Sequence, residues 1–203
     1  MTAALRLDQL EQDQRVVLMG MSWQDFEAFL ALRGDRAGVR MYYLDGEIEI
    51  VSPTKIHEGR KKTLARLLEV WSLESDVALN GFGAWTLKNE RREAGAEPDE
   101  CYIVGEIDKE TPDLVIEVEW SRALGLSKRE IYRRLGVREL WTLKSSGALV
   151  INVAQKDEWV EQPRSNLLPQ LDPAWLLSFL GIEPQSKAIA TLRAALSQGH
   201  RSE

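Results

Sequence analysis

Pro112-Asp113-Leu114-Val115-Ile116-Glu117-Val118-Glu119 reads as a β-strand that carries an exception. Strand side chains alternate between the two faces of a sheet, so Leu114, Ile116 and Val118 share one face. Three large aliphatics require that face to be buried. Asp113, Val115, Glu117 and Glu119 share the other, with Glu117 and Glu119 roughly 6–7 Å apart along the strand. Carboxylates on so apolar a strand need partners, because an unpaired buried charge is costly. The plain alternative is an edge strand with one wet face. Asp113 lies about 13 Å along the strand from Glu117, too far to share one ion, and reads as a turn residue.

Upstream, Pro98-Asp99-Glu100-Cys101-Tyr102-Ile103-Val104 is a second strand that also begins after a proline. If the two strands are neighbours, Asp99 and Glu117 converge on one side. Two carboxylates, completed by water and a substrate phosphate, are what Mg²⁺ or Mn²⁺ prefers. Glu119 is close enough to assist. Downstream, Ser127 caps a helix that reaches about Leu135 and stops at Gly136, with Glu130 at the capping-box position. Ile131, Tyr132 and Leu135 form its core face, which puts Lys128 on the inner side of the first turn. There Lys128 either snorkels past the sheet edge or reaches the carboxylates. In the second case its ammonium orients a metal-bound water and stabilises a phosphoryl transition state. Arg129, Arg133 and Arg134 lie on other faces, free for phosphates or for pairs such as Glu130 with Arg134.

In the N-terminal half, Ser22 caps a helix whose apolar side is Phe26, Phe29, Leu30 and Leu32. Asp45-Gly46 separates two short apolar runs, a hairpin signal. Pro53 ends the second run, and a long helix over 55–75 follows, with Leu64, Leu67, Leu68 and Trp71 as its buried stripe. That stripe extends back to His57, which faces inward either as a satisfied core histidine or as a site residue. Glu47, after the turn, is either a hairpin residue or a site residue. Residues 81–87 read as a strand and 88–95 as a charged loop. Strands over 138–143, 149–153 and 158–161 finish the sheet, followed by helices over 173–180 and 186–196. This order predicts an α/β (α+β) domain, one sheet with helices on it. Residues 1–18 read as a poorly ordered N-terminus, 19–182 as one domain, and 183–203 as a C-terminal helix and tail.

The chain has 203 residues, 44% hydrophobic and 29% charged, which excludes collagen-like, low-complexity and disordered classes. No apolar run approaches membrane-spanning length, and the charged first fifteen residues argue against a secretory leader. Cys101 is the one cysteine, so no intrachain disulfide or cysteine-based zinc site is possible, and a cytoplasmic setting is expected. Phosphate loops of the Walker type, GxGxxG and GxSxG are absent. With only His57 and His200, a histidine-rich zinc site is excluded. The net charge of −6 opposes simple coating of nucleic acid. Its distribution is uneven: net −7 over 88–119, between basic segments of +4 over 55–66 and +5 over 122–138.

Tyr43-Leu44-Asp45-Gly46-Glu47, Val51-Ser52-Pro53 with His57-Glu58, Glu97-Pro98-Asp99, the strand at 112–118 and the run from Lys128 to Trp141 together resemble the Uma-type family of bacterial endonucleases. That family lies within the PD-(D/E)XK, restriction-endonuclease-like superfamily, and the resemblance covers about residues 23–141. It implies a core of helix, three strands, helix and strand. It implies that Asp99 is the superfamily aspartate and Glu117 the acidic residue of the (D/E)XK element, together holding Mg²⁺ or Mn²⁺. Glu119 stands where that element has lysine, and the resemblance implies that Lys128 has taken over from the following helix. His57 and Glu47 are implied as supporting catalytic residues, DNA as the substrate, and a homodimer as the assembly by analogy of fold. The missing lysine and the acidic net charge motivate a different class: an inactive nuclease fold that binds nucleic acid or a protein partner. A third is an unrelated interaction domain whose acidic face is simply wet.

Overall fold

The computed structural model describes residues 12–34, 36, 38–83, 85–119 and 125–199. The chain order is β1 (Gln14–Met19), α1 (Trp23–Arg33), β2 (Arg40–Leu44), β3 (Glu47–Ser52), α2 (Lys55–Glu74), β4 (Leu79–Phe82), β5 (Leu87–Asn89), β6 (Ala94–Ala96), β7 (Glu100–Val104), β8 (Leu114–Glu119), α3 (Lys128–Leu135), β9 (Glu139–Lys144), β10 (Leu149–Gln155), β11 (Glu158–Gln162), α4 (Pro173–Leu177) and α5 (Gln185–Gly199). The strands form two sheets rather than the single sheet expected. One has the order β11-β10-β9-β8-β7-β4 and the other β1-β3-β2-β6-β5. In the first, β8 and β9 run parallel and the other pairs antiparallel. A parallel pair needs a crossover, and α3 lies within it. Helix α2, then β4, β7 and β8, then α3 and β9 make the restriction-endonuclease-like core.

Local chemistry explains most elements. Ser22 and Asp25 form a reciprocal capping box on α1. Asp45 and Gly46 both adopt positive φ, as the tight β2–β3 hairpin requires. Thr54 caps α2 through the His57 N–H, and Ser127 caps α3 through the Glu130 N–H. Gly136, at φ 81°, ends α3 in the left-handed conformation.

Three further expectations are corrected. Of the N-terminus expected to be poorly ordered, residues 1–11 lie outside the described residues, whereas residues 14–18 belong to β1, which pairs antiparallel with β3 along its whole length. As an edge strand it is held by main-chain bonds, which mixed polar and apolar side chains conceal. The expected strand over 81–87 is split between β4 and β5, which join different sheets. The expected loop over 88–95 contains most of β5, a 3₁₀ turn at Glu90–Arg92 and most of β6. Ala94-Gly95-Ala96 lacks β-branched residues because it is fully covered, and a Cβ on Gly95 would lie 2.4 Å from the Phe26 ring.

The layers put β8 at the centre. Leu114, Ile116 and Val118 pack with Leu64, Leu67, Leu68 and Trp71 of α2, backed by α4 and α5. Val115 faces the other way, into a second core with Ile131 and Tyr132 of α3 and Tyr42, Val51, Ala94 and Ala96 of the second sheet. A third cluster joins Phe26 of α1 to Met41, Tyr43 and Ile48 on the outer face of that sheet.

Candidate active site

Glu117 projects from β8 on the same side as Val115, between the two sheets, and is 1% exposed. Because β8 lies between β7 and β9, it is not an edge strand with a wet face. Asp99 immediately precedes β7. The antiparallel register pairs Glu100 with Ile116, so one further step sets Asp99 against Glu117. Asp99 is also 1% exposed, and its Oδ2 accepts the Val118 N–H at 2.9 Å. Convergence of the two carboxylates is therefore a product of strand register.

His57 sits in the first turn of α2, as its place on the buried stripe implied. Its Nε2 lies 3.0 Å from Asp99 Oδ2 and its Nδ1 2.9 Å from Asp13 Oδ2. Asp13 also accepts the Thr54 N–H through Oδ1 at 2.8 Å, tying the start of β1 to the start of α2. Burial opposes a charge on His57, but hydrogen bonds to both carboxylates win and raise its pKa to about 9. Asp99 resists burial in the same way: bonds from His57 and Val118 and the charge of Lys128 hold it down to about 2. Asp13 is likewise lowered, its desolvation outweighed by His57 and Thr54. At neutral pH the unit is carboxylate, imidazolium, carboxylate. Sequence reasoning missed Asp13, which lies in the segment expected to be disordered.

Lys128 and Tyr132 are four residues apart on α3 and share a face. Both meet Glu117: Lys128 Nζ pairs with Oε2 and the Tyr132 hydroxyl donates to Oε1. Lys128 also donates to the Tyr42 hydroxyl at 3.0 Å, and its ammonium lies 4.2 Å from the centre of the Tyr42 ring. Burial lifts the Glu117 pKa, and Lys128 pulls it back. Burial disfavours the ammonium, but Glu117, Tyr42 and Asp99 hold Lys128 well above its ordinary value, so it stays protonated. Tyr132 read as a core residue in the sequence. Its spacing from Lys128 was the available signal for its role.

A cavity of about 210 Å³ opens beside these groups, lined among others by Asp13, Arg15, Arg40, His57, Asp99, Glu117, Lys128 and Arg129. Glu47 is not there. It pairs across the sheet with Met19 and Leu44 at the turn end of the hairpin. Two residues on, the fully buried Glu49 pairs with Arg15 at 2.6 Å and accepts the Leu126 N–H at 3.2 Å. Glu119 lines the cavity but pairs with Lys144. Asp113 is structural: it accepts the Val104 N–H and pairs with Lys109 and Arg138. Arg133 and Arg134 are held by Glu130, and Arg134 also by Asp45. The Cys101 thiol is buried and pushed up to about 12, chiefly by desolvation, which removes it from nucleophilic chemistry. Among the described residues no three His, Cys, Asp or Glu side chains form a metal-binding group, and no helix is long and apolar enough to cross a membrane.

No curated protein matches the chain. The profile of the Uma2 family, described as "Putative restriction endonuclease", matches residues 23–182, from α1 through α4. The match takes in Asp99, Glu117, Lys128 and His57, and stops short of Asp13 and Arg15 on the N-terminal side. The chain belongs to the Uma2 family.

Proposed function

We propose that the protein is a divalent-metal-dependent phosphodiesterase that cuts DNA. One observation carries the reading: Asp99 and Glu117 face one cavity from neighbouring strands, with the Lys128 ammonium seated on Glu117. The donor set suits a hard cation. Both groups are carboxylates, and among the described residues the group facing Asp99 Oδ1 is Arg40, at 3.9 Å. Mg²⁺ and Mn²⁺ are commonly held by one or two carboxylates, with water and substrate phosphate completing the shell. Asp99 and Glu117 would hold the ion; a zinc set of histidines and thiolates is absent.

When bound, such an ion supplies Lewis acidity toward a phosphoryl oxygen and acidity to water. The chain's own residues do the rest. His57, anchored by Asp13, fixes the Asp99 carboxylate. Tyr132 and Tyr42 fix Glu117. Lys128 keeps its proton at Nζ, so it acts as a positive charge beside the developing phosphoryl anion and not as a base. Two such centres would cut both strands of a duplex in one encounter, so the reading includes pairing of two copies.

Titration calorimetry with Mn²⁺ tests this on the wild type and Asp99→Ala, each with and without a DNA oligonucleotide. Binding by the wild type that disappears in the variant is expected. Binding that survives Asp99→Ala would take the ion out of this site. A second reading, a nuclease fold that binds without cutting, is favoured by the closure of Lys128 onto Glu117. Salt-sensitive DNA binding that is indifferent to metal in the same titrations would select it.

A further inference from the structure

The charges around the cavity are almost all committed to one another. Asp13 and Asp99 hold His57, Glu117 holds Lys128, Glu49 holds Arg15, and Glu119 holds Lys144. Two cations are less firmly held: Arg40, whose ion pair with Asp99 is long at 3.9 Å, and Arg129. Arg40 and Tyr42 lie on the face of β2 that looks into the cavity, and the sheet register puts Arg40, Val51 and Arg15 in one row across three strands. The Arg40 Nε is buried without any hydrogen-bond partner, and the nearest acid, Asp99, stands 3.9 Å away. Arg129, at the exposed rim of the same cavity, has no side-chain partner among the described residues.

A buried donor without an acceptor is costly to leave unmade, and a guanidinium is a rigid fork that matches an anion with two oxygens. Asp13, Asp99 and Glu117 each already face a basic side chain, His57 or Lys128, so Arg40 and Arg129 are the cations that an anion entering the cavity meets. We infer that Arg40, with Arg129 at the rim, seats a phosphoryl group of a nucleic-acid strand in this cavity. The inference rests on the phosphodiesterase reading for the identity of the anion, and adds to it a substrate-binding residue that lies on the second sheet.

The test uses metal-free protein in the presence of a chelator, with the dinucleotide pTpT as probe and acetate as a carboxylate control. Calorimetry is run on the wild type, Arg40→Gln, Arg40→Lys and Arg129→Gln. Loss of one charge-assisted contact predicts that Arg40→Gln weakens pTpT binding by about tenfold or more. Arg40→Lys, which keeps the charge but not the fork, should fall between it and the wild type. Arg129→Gln, an exposed position that leaves the fold intact, should weaken binding less, and acetate should not bind.

Binding by both glutamine variants within about twofold of the wild type would overturn the inference, as would no binding of pTpT by the wild type. If Arg40→Gln does not fold, Arg40→Lys and Arg129→Gln decide. The two readings fail separately. Arg40-dependent pTpT binding by a protein that neither binds Mn²⁺ nor cleaves DNA in its presence would sink the phosphodiesterase and leave the seat. Metal-dependent cleavage by Arg40→Gln with unchanged kcat and KM would sink the seat and leave the phosphodiesterase.

Discussion

Burying Glu117 strips water from its carboxylate, and three side chains replace that water: Lys128, Tyr132 and Tyr42. Removal of one donor leaves an oxygen under-satisfied on a carboxylate that is almost wholly buried. Tyr132→Phe deletes only the hydroxyl, so it separates this effect from packing. The expected loss is about 1–3 kcal/mol in denaturant unfolding, with the midpoint lowered and the slope unchanged. A stability equal to the wild type would mean that Tyr132 fills space and nothing more. Asp99, Glu117 and Lys128 were legible in the sequence because each broke a local pattern: an acid on an apolar strand, an acid after a proline, a lysine on a core face. Tyr132 matched its pattern, and for that reason was read as core. Asp13 and Arg40 carry no local irregularity. Their positions at the cavity arise from where β1 and β2 dock.

Helix α3 delivers Lys128, and its entry is held from the second sheet. The Glu49 carboxylate accepts the Leu126 N–H and pairs with Arg15, and Gly125 lies against both side chains. A Cβ on Gly125 would fall 2.1 Å from Glu49 Oε1 and 2.4 Å from Arg15 Nη1. Gly125→Ala therefore displaces the ends of the Glu49 and Arg15 side chains from each other and from the Leu126 N–H, and, because Glu49 is fully buried, should cost about 1–3 kcal/mol as an overpacking change. Gly59→Ala is the control: it lies within α2 with open space around its Cβ position, and should be neutral or stabilising. Thermal unfolding of both variants reads the difference, and equal midpoints would refute the latch. Glu47, implied by the resemblance as a supporting site residue, stands at the turn end of the hairpin, and Glu49, two residues on, is the acid at the entry to α3. Both stand on the same face of β3, since strand positions two apart always do. Which of them meets α3 depends on how far along the hairpin the helix crosses, and no local pattern encodes that.

Across the whole molecule, the Asp13–His57–Asp99 unit joins β1, α2 and the β7–β8 pair, so its protonation is linked to global stability. His57 has a folded-state pKa of about 9 against an ordinary 6.5. Its contribution is complete below the ordinary value and is lost as pH rises through about 9. Asp99, at about 2 against 3.8, contributes above its ordinary value and loses that contribution as pH falls through about 2. In metal-free protein, the Tm gap between wild type and His57→Gln should therefore be widest near neutral or mildly acidic pH and close on the alkaline side. A gap that stays flat through the alkaline range would show that His57 is not held as an imidazolium. Helices, caps, the Asp45-Gly46 hairpin, the β8 alternation and the placement of Lys128 were determined by sequence alone, because each depends on neighbours within a few residues. Only the tertiary structure decided that β1, β5 and β6 build a second sheet, and that this sheet closes over Glu117 with Arg40 and Tyr42. Strand partners are joined through backbone groups that every residue carries, so which strands meet depends on what the assembled core can bury.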